Sequence, residues 1–145
     1  MKHTISAVIL ITILAATFAV AGINNKNYGT ATVSAITSIY DGDTFRCNIE
    51  GYPPIIGERI GIRVKGIDTP EMRDKRPRVK AMARQAKQFA VAMLRNGRHI
   101  ELRNIKRGKY FRIVADVYID GKSLGKALLN ARLAKPYDGG KKPRW

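Results

Sequence analysis

Apolar and polar positions along this chain change their period several times, and each change marks an element. Residues 30–39 and 43–50 alternate apolar with polar and are rich in β-branched side chains. They predict two strands joined by an Asp41-Gly42 turn. The segment 51–61, GYPPIIGERIG, holds two prolines and three glycines and predicts a loop leading into a strand. That strand, 59–67, sets Ile60, Ile62 and Val64 against Gly61, Arg63 and Lys65. Over 78–95 the period turns helical: Val79, Met82, Ala83, Ala86, Phe89, Ala90, Met93 and Leu94 fall at i, i+3, i+4, i+7 spacing. Pro77 suits the first turn of that helix and Gly97 its cap. Strands at 99–105 and 110–119, an Asp120-Gly121 turn and a short helix over 124–131 capped by Ser123 complete the order, and 132–145 reads as loop. The fold class is α+β: a small five-stranded antiparallel β-barrel with two or three helices.

The first 21 residues stand outside this pattern. Lys2 and His3 precede an uncharged apolar run at 7–18, and Ala19-Val20-Ala21 supplies a small-x-small cleavage pattern. This predicts a signal peptide cleaved after Ala21. The run is shorter than the roughly 20 apolar residues of a spanning helix, so the rival reading, an uncleaved anchor, is the weaker one. Residues 22–29 read as a polar linker and 30–145 as one domain. The expected location is secreted or periplasmic, with no stable membrane association after cleavage.

Charge narrows the partners. The 145 residues carry 27 basic and 11 acidic side chains, a formal charge of +16. The excess is spread over clusters at 73–80, 103–112 and 141–144. It favours a polyanionic partner: nucleic acid, anionic lipid or acidic glycan. The single cysteine, Cys47, excludes an internal disulfide and a cysteine-based zinc site. Its place in a strand pattern reads as a buried small hydrophobe. His99 is the sole histidine once His3 is cleaved away, which excludes chemistry needing paired histidines.

Against so basic a background, four of the acids fall in two short motifs: Asp41 and Asp43 in DGDT, Asp68 and Glu71 in IDTPE. Each motif sits where a predicted strand begins or ends, and such ends gather at barrel rims. Converging carboxylates repel unless a divalent cation lies among them. Ligation by carboxylate, carbonyl and water oxygens fits a hard ion, calcium or magnesium. Taken singly, DGD also reads as a hairpin turn, and DTPE as a helix start with Asp68 as cap. The spacing is not that of an EF-hand, because Phe45 and Arg46 stand where an oxygen ligand and a glycine are needed.

DGDT, then RVKGIDTPE at 63–71, then KYFR at 109–112 resembles the staphylococcal-type thermonuclease family, and LAKPYDGG at 133–140 is similar to the tails of its exported bacterial members. The resemblance runs from about residue 30 to 145. It implies an OB-type barrel and a calcium-dependent nuclease acting on single-stranded or frayed DNA and RNA, leaving 3′-phosphate ends. By motif it implies Asp43, Asp68 and the backbone carbonyl of Thr69 as calcium ligands, with Asp41 nearby and less firmly engaged. It implies Arg63 and Arg112 as the phosphate-holding arginines, Glu71 as general base, and Lys109, Tyr110 and Tyr137 as substrate contacts. It further implies a monomer without an obligate protein partner. Phe111 stands where the family usually has glycine, Gly108 where aspartate is common, and the loop after Cys47 is longer than expected. The alternative is a non-catalytic OB barrel that binds single strands.

Overall fold

A computed structural model describes residues 26–145. The expected signal peptide and the start of the linker lie outside the described residues. Five strands form the barrel: β1 (Ala31–Ile39), β2 (Thr44–Ile49), β3 (Ile60–Val64), and, after the connections below, β5 (Ile100–Arg107) and β6 (Arg112–Ile119). The pairs β3–β2, β2–β1, β1–β5 and β5–β6 are antiparallel. The ring closes through a parallel pairing of β3 with β6, Gly61 opposite Arg112 and Arg63 opposite Val114. The barrel is therefore antiparallel in all but one pair. Directions cannot alternate all the way around a ring with an odd number of strands, so one like-oriented neighbour is unavoidable.

Between β2 and β3 the two prolines nucleate a single helical turn, α1 (Pro54–Gly57), in the segment read as loop. After β3, Gly66 at φ +79° turns the chain into β4 (Ile67–Asp68). The long helix α2 (Pro77–Asn96) buries Val79, Ala83, Ala86, Ala90 and Leu94, the stripe its period predicted. Its C-cap, Gly97, leaves the helical conformation at ψ 138°, and close packing admits no side chain there: a Cβ would lie 2.4 Å from Cγ2 of Ile119. Beyond β6 come β7 (Lys122–Ser123) and α3 (Leu124–Asn130), with the Ser123 side chain accepting from the Lys126 N–H at 3.2 Å. The tail is not wholly loop. Residues Lys135–Pro136 form β8, which pairs with β4, Asp68 opposite Lys135.

The core is the barrel interior closed by α2 and α3: Phe45, Ile62, Val64, Leu102, Val117, Leu124 and Leu128 are almost wholly buried. Cys47 is buried in it, and burial pushes its thiol up to about 12, as expected of an inert core residue.

Candidate functional site

The DGDT loop joins β1 to β2 at the rim of the barrel and is pressed between α2 and the β4 exit. Gly42 makes this possible. A Cβ on it would stand 2.9 Å from Cγ2 of Thr69 and 3.0 Å from Cβ of Ala86. The loop thereby buries Asp41, Asp43, Asp68 and Thr69 together, against the usual tendency of carboxylates to face water.

Each buried acid has partners. The Asp43 carboxylate accepts from the Thr69 N–H at 2.7 Å and from the Thr44 hydroxyl at 2.9 Å. It also forms an ion pair with Nη1 of Arg63. Nη2 of the same guanidinium donates to Asp68 at 2.9 Å and to the Ile67 carbonyl at 3.2 Å. One arginine on β3 thus bridges carboxylates 25 residues apart in sequence, from Asp43 to Asp68. Asp41 stands just behind and accepts from the Asp43 N–H at 3.2 Å. Burial foremost, and then the neighbouring Asp43, raise its carboxyl to about 7.

Two further groups reach the acids from the tail. The indole N–H of Trp145 donates to Asp68 at 3.1 Å, and Lys142 pairs with Glu71 while lying 3.8 Å from Asp68. Hydrogen bonding to Glu71 raises the Lys142 ammonium. Glu71 itself is half exposed. Neither Lys142 nor Trp145 was singled out in the sequence as a site residue. The signal was faint: a basic run and a lone tryptophan at the end of a segment read as loop.

Arg112 is on the same outer face as Arg63. Pairing sets Gly61 beside Arg112 and Arg63 beside Val114, so the two arginines are diagonal neighbours across the seam, about 8 Å apart at their Cα atoms by sheet geometry. The stem of Arg112 lies over Gly61, whose Cβ would be 3.0 Å from its Cγ. Its Nε is buried and has no hydrogen-bond partner among the described residues. Lys109 and Tyr110 are in the β5–β6 turn, where Tyr110 is 90 % exposed. Tyr137 is half-buried, its hydroxyl donating to the Gly140 carbonyl at 3.1 Å. The structure brings Asp41, Asp43, Arg63, Asp68 and Thr69 together, joins Glu71 to Asp68 through Lys142, and sets Arg112 on the same face as Arg63. Among the described residues no side-chain hydrogen bond joins Lys109, Tyr110 or Tyr137 to this cluster; the Lys109 carbonyl accepts from the Arg112 N–H at 3.2 Å.

The family model of staphylococcal nuclease homologues matches residues 61–144, more than half of the chain. The chain belongs to that family. Within it, the fold is the expected OB-type barrel, and the family assigns a thermonuclease-like nuclease or a nucleic-acid-binding barrel. The match starts at Gly61 and takes in Arg63, Asp68, Thr69, Glu71, Lys109, Tyr110, Arg112 and Tyr137; Asp41 and Asp43 precede it. Staphylococcal nuclease homologues generally work with calcium. Among the described residues no three acidic, histidine or cysteine side chains converge as a ready metal cage. The donors do fit a hard cation in smaller number: Asp43 and Asp68 already share one positive group, and Oγ1 of the buried Thr69 has no partner. Oxygen-only ligation completed by water is the calcium pattern.

Proposed function

We propose that this protein is an exported, calcium-dependent nuclease. It hydrolyses single-stranded or frayed DNA and RNA with little sequence specificity and leaves 3′-phosphate ends. The observation that carries the reading is the sharing of the Arg63 guanidinium by Asp43 and Asp68 at a barrel rim, with Arg112 on the same face. Export rests on the apolar start followed by Ala19-Val20-Ala21; among the described residues no helix is long and apolar enough to cross a membrane. The protein acts as a monomer on this reading, with no obligate protein partner.

A phosphodiester is anionic and repels an incoming nucleophile, and attack at phosphorus adds charge to its non-bridging oxygens. Arg112, and Arg63 once its Nη groups turn from Asp43 and Asp68, would hold those oxygens by paired N–H donors, usually the largest part of such catalysis. Asp43, Asp68 and the Thr69 carbonyl would hold calcium, with Asp41 beside them. Calcium, when bound, supplies further positive charge at the phosphate. Glu71 would take the proton of the attacking water once Lys142 releases it. The bond from phosphorus to the 5′ oxygen breaks, that oxygen gains a proton, and the phosphate stays on the 3′ side. Extracellular calcium sites commonly bind at about 10⁻⁴–10⁻³ M, a range that suits an exported protein.

Denatured DNA incubated with the protein and calcium should yield 3′-phosphorylated fragments, and a chelator should stop their release. Absence of calcium-dependent fragments rejects the proposal. The pairing of Glu71 with Lys142 favours a second reading, a barrel that grips single strands without cutting. Tight DNA binding with no turnover at millimolar calcium would select it.

A further inference from the structure

Seven large apolar side chains are exposed among the described residues, and four of them, Tyr28, Tyr52, Ile56 and Phe111, line one cavity of about 310 Å³. That volume is at the lower end of the roughly 300–1,000 Å³ range of ligand sites, and an exposed apolar cluster marks a binding surface. The cavity opens at the barrel end where β3 and β6 begin and β5 finishes. Apart from Arg112, none of the groups given a role above lines it.

Its walls are built rather than incidental. Tyr28 is fixed by backbone pairing: its N–H donates to the Ile105 carbonyl at 2.8 Å, and the Ile105 N–H to the Gly29 carbonyl at 3.1 Å. Tyr52 is held beneath α1. A Cβ on Gly57 would meet the Tyr52 Cβ at 2.7 Å and its carbonyl oxygen at 3.0 Å, so glycine there lets α1 pack directly on the Tyr52 backbone and fix where its side chain starts. Phe111 is at φ +57°, a strained place for a bulky residue, yet its side chain is 63 % exposed. Burial does not offset that strain. The turn instead presents an aromatic ring at the cavity mouth.

Charge defines the occupant. Arg107 and Arg112 line the same cavity, in a chain of formal charge +16. Arg112 also lies over Gly61 on the face that carries Arg63, with its Nε lacking an acceptor. One guanidinium therefore borders both the phosphate grip and the aromatic cavity. A ligand suited to both has an anionic group beside a flat ring with apolar faces.

We propose that this cavity is a nucleobase subsite, in which an unpaired base of the bound strand stacks on Phe111 and Tyr52 while the adjoining phosphate is held by Arg112. It rests on the nucleic-acid reading above and deepens it. A base inside a duplex has its faces covered by its neighbours, so the site selects single strands.

The test is binding of a labelled oligothymidylate to the full chain in chelator, by fluorescence anisotropy. A matched series carries one abasic nucleotide at successive positions. One position should lose about tenfold in affinity, the scale of base–aromatic stacking. Phe111→Gly should bind the intact strand about tenfold more weakly and no longer distinguish the abasic strand at that position. Glycine adopts positive φ freely, so the turn survives; Tyr52→Ser gives a second, independent reading. Variants that discriminate as well as the unmodified protein overturn the proposal. So does an equal loss of affinity for heparin, which has no bases. Calcium-dependent digestion by the unmodified protein, run in parallel, separates the two claims. Digestion without the abasic coupling rejects the subsite alone, whereas coupling without digestion supports the subsite and rejects the nuclease reading.

Discussion

A methyl group added at Gly42 would have nowhere to go, because Thr69 and Ala86 close on the Cα from two sides. Overpacking of this kind costs about 1–3 kcal/mol. Here it would also lever Asp43 away from the Thr69 N–H that fixes its carboxylate. Gly42→Ala should therefore lower both the melting temperature and the calcium affinity, read by thermal melts with and without calcium. An unchanged calcium titration would show that the loop tolerates the displacement. At this scale the sequence was informative about identities and silent about reasons. The acids were legible because two carboxylates in DGDT are rare in so basic a chain. The glycine between them reads from sequence as a turn residue, while in the structure it is a contact. Lys142 and Trp145, both bonded to the acids, carry no motif that would single them out, and Thr44 closes the DGDT motif without its bond to Asp43 being legible there.

At the scale of elements, β3 holds the acidic cluster together, because Arg63 neutralises two carboxylates that the loops have buried. Removing one partner of a buried charge pair costs about 3–5 kcal/mol. Arg63→Ala should lose stability on that order in chelator, and calcium should restore part of it by replacing the missing positive charge. Denaturant unfolding in the two conditions measures both, and equal stability in chelator would refute the structural half of Arg63's role. The joint between α2 and β5 offers a pH test. Asp120, at φ +48°, accepts from the Arg98 and His99 N–H groups, and these bonds hold its carboxyl below the usual range. A lowered folded-state value means the contribution is present above the unfolded carboxylate range, near pH 4, and fades as pH falls through the folded value. Asp120→Asn should flatten the acid side of the stability curve and leave the neutral region's slope unchanged. Helical and strand periods gave most of these boundaries to within a residue or two, but the strand expected over 59–67 ends at Val64, because the chain turns at Gly66 into β4, which belongs to another sheet. Three elements were missed: α1, a turn set by prolines too short to show a period; β7, a two-residue return after the Asp120-Gly121 turn; and β8, a two-residue strand whose partner is far away in sequence.

Over the whole molecule, the charge of +16 makes substrate capture an ionic-strength effect. Affinity for single strands should fall with salt at a log–log slope of about 0.7 per phosphate neutralised. Lys109→Ala should weaken binding uniformly across sequences and reduce the slope by roughly that amount; an unchanged slope would place Lys109 off the strand's path. The barrel class followed from the order of elements, but the pairing of β3 with β6 did not, since no local pattern encodes a contact between residues as distant in sequence as Gly61 and Arg112. That seam also decides when the chemistry can start. Arg63 precedes α2, and Arg112 arrives only when β6 docks beside β3. On the nuclease reading, a chain emerging amino end first holds its acids and a single guanidinium well before the second is in place. Cutting must wait for the ring to shut, and a half-made copy leaves the nucleic acid around it intact.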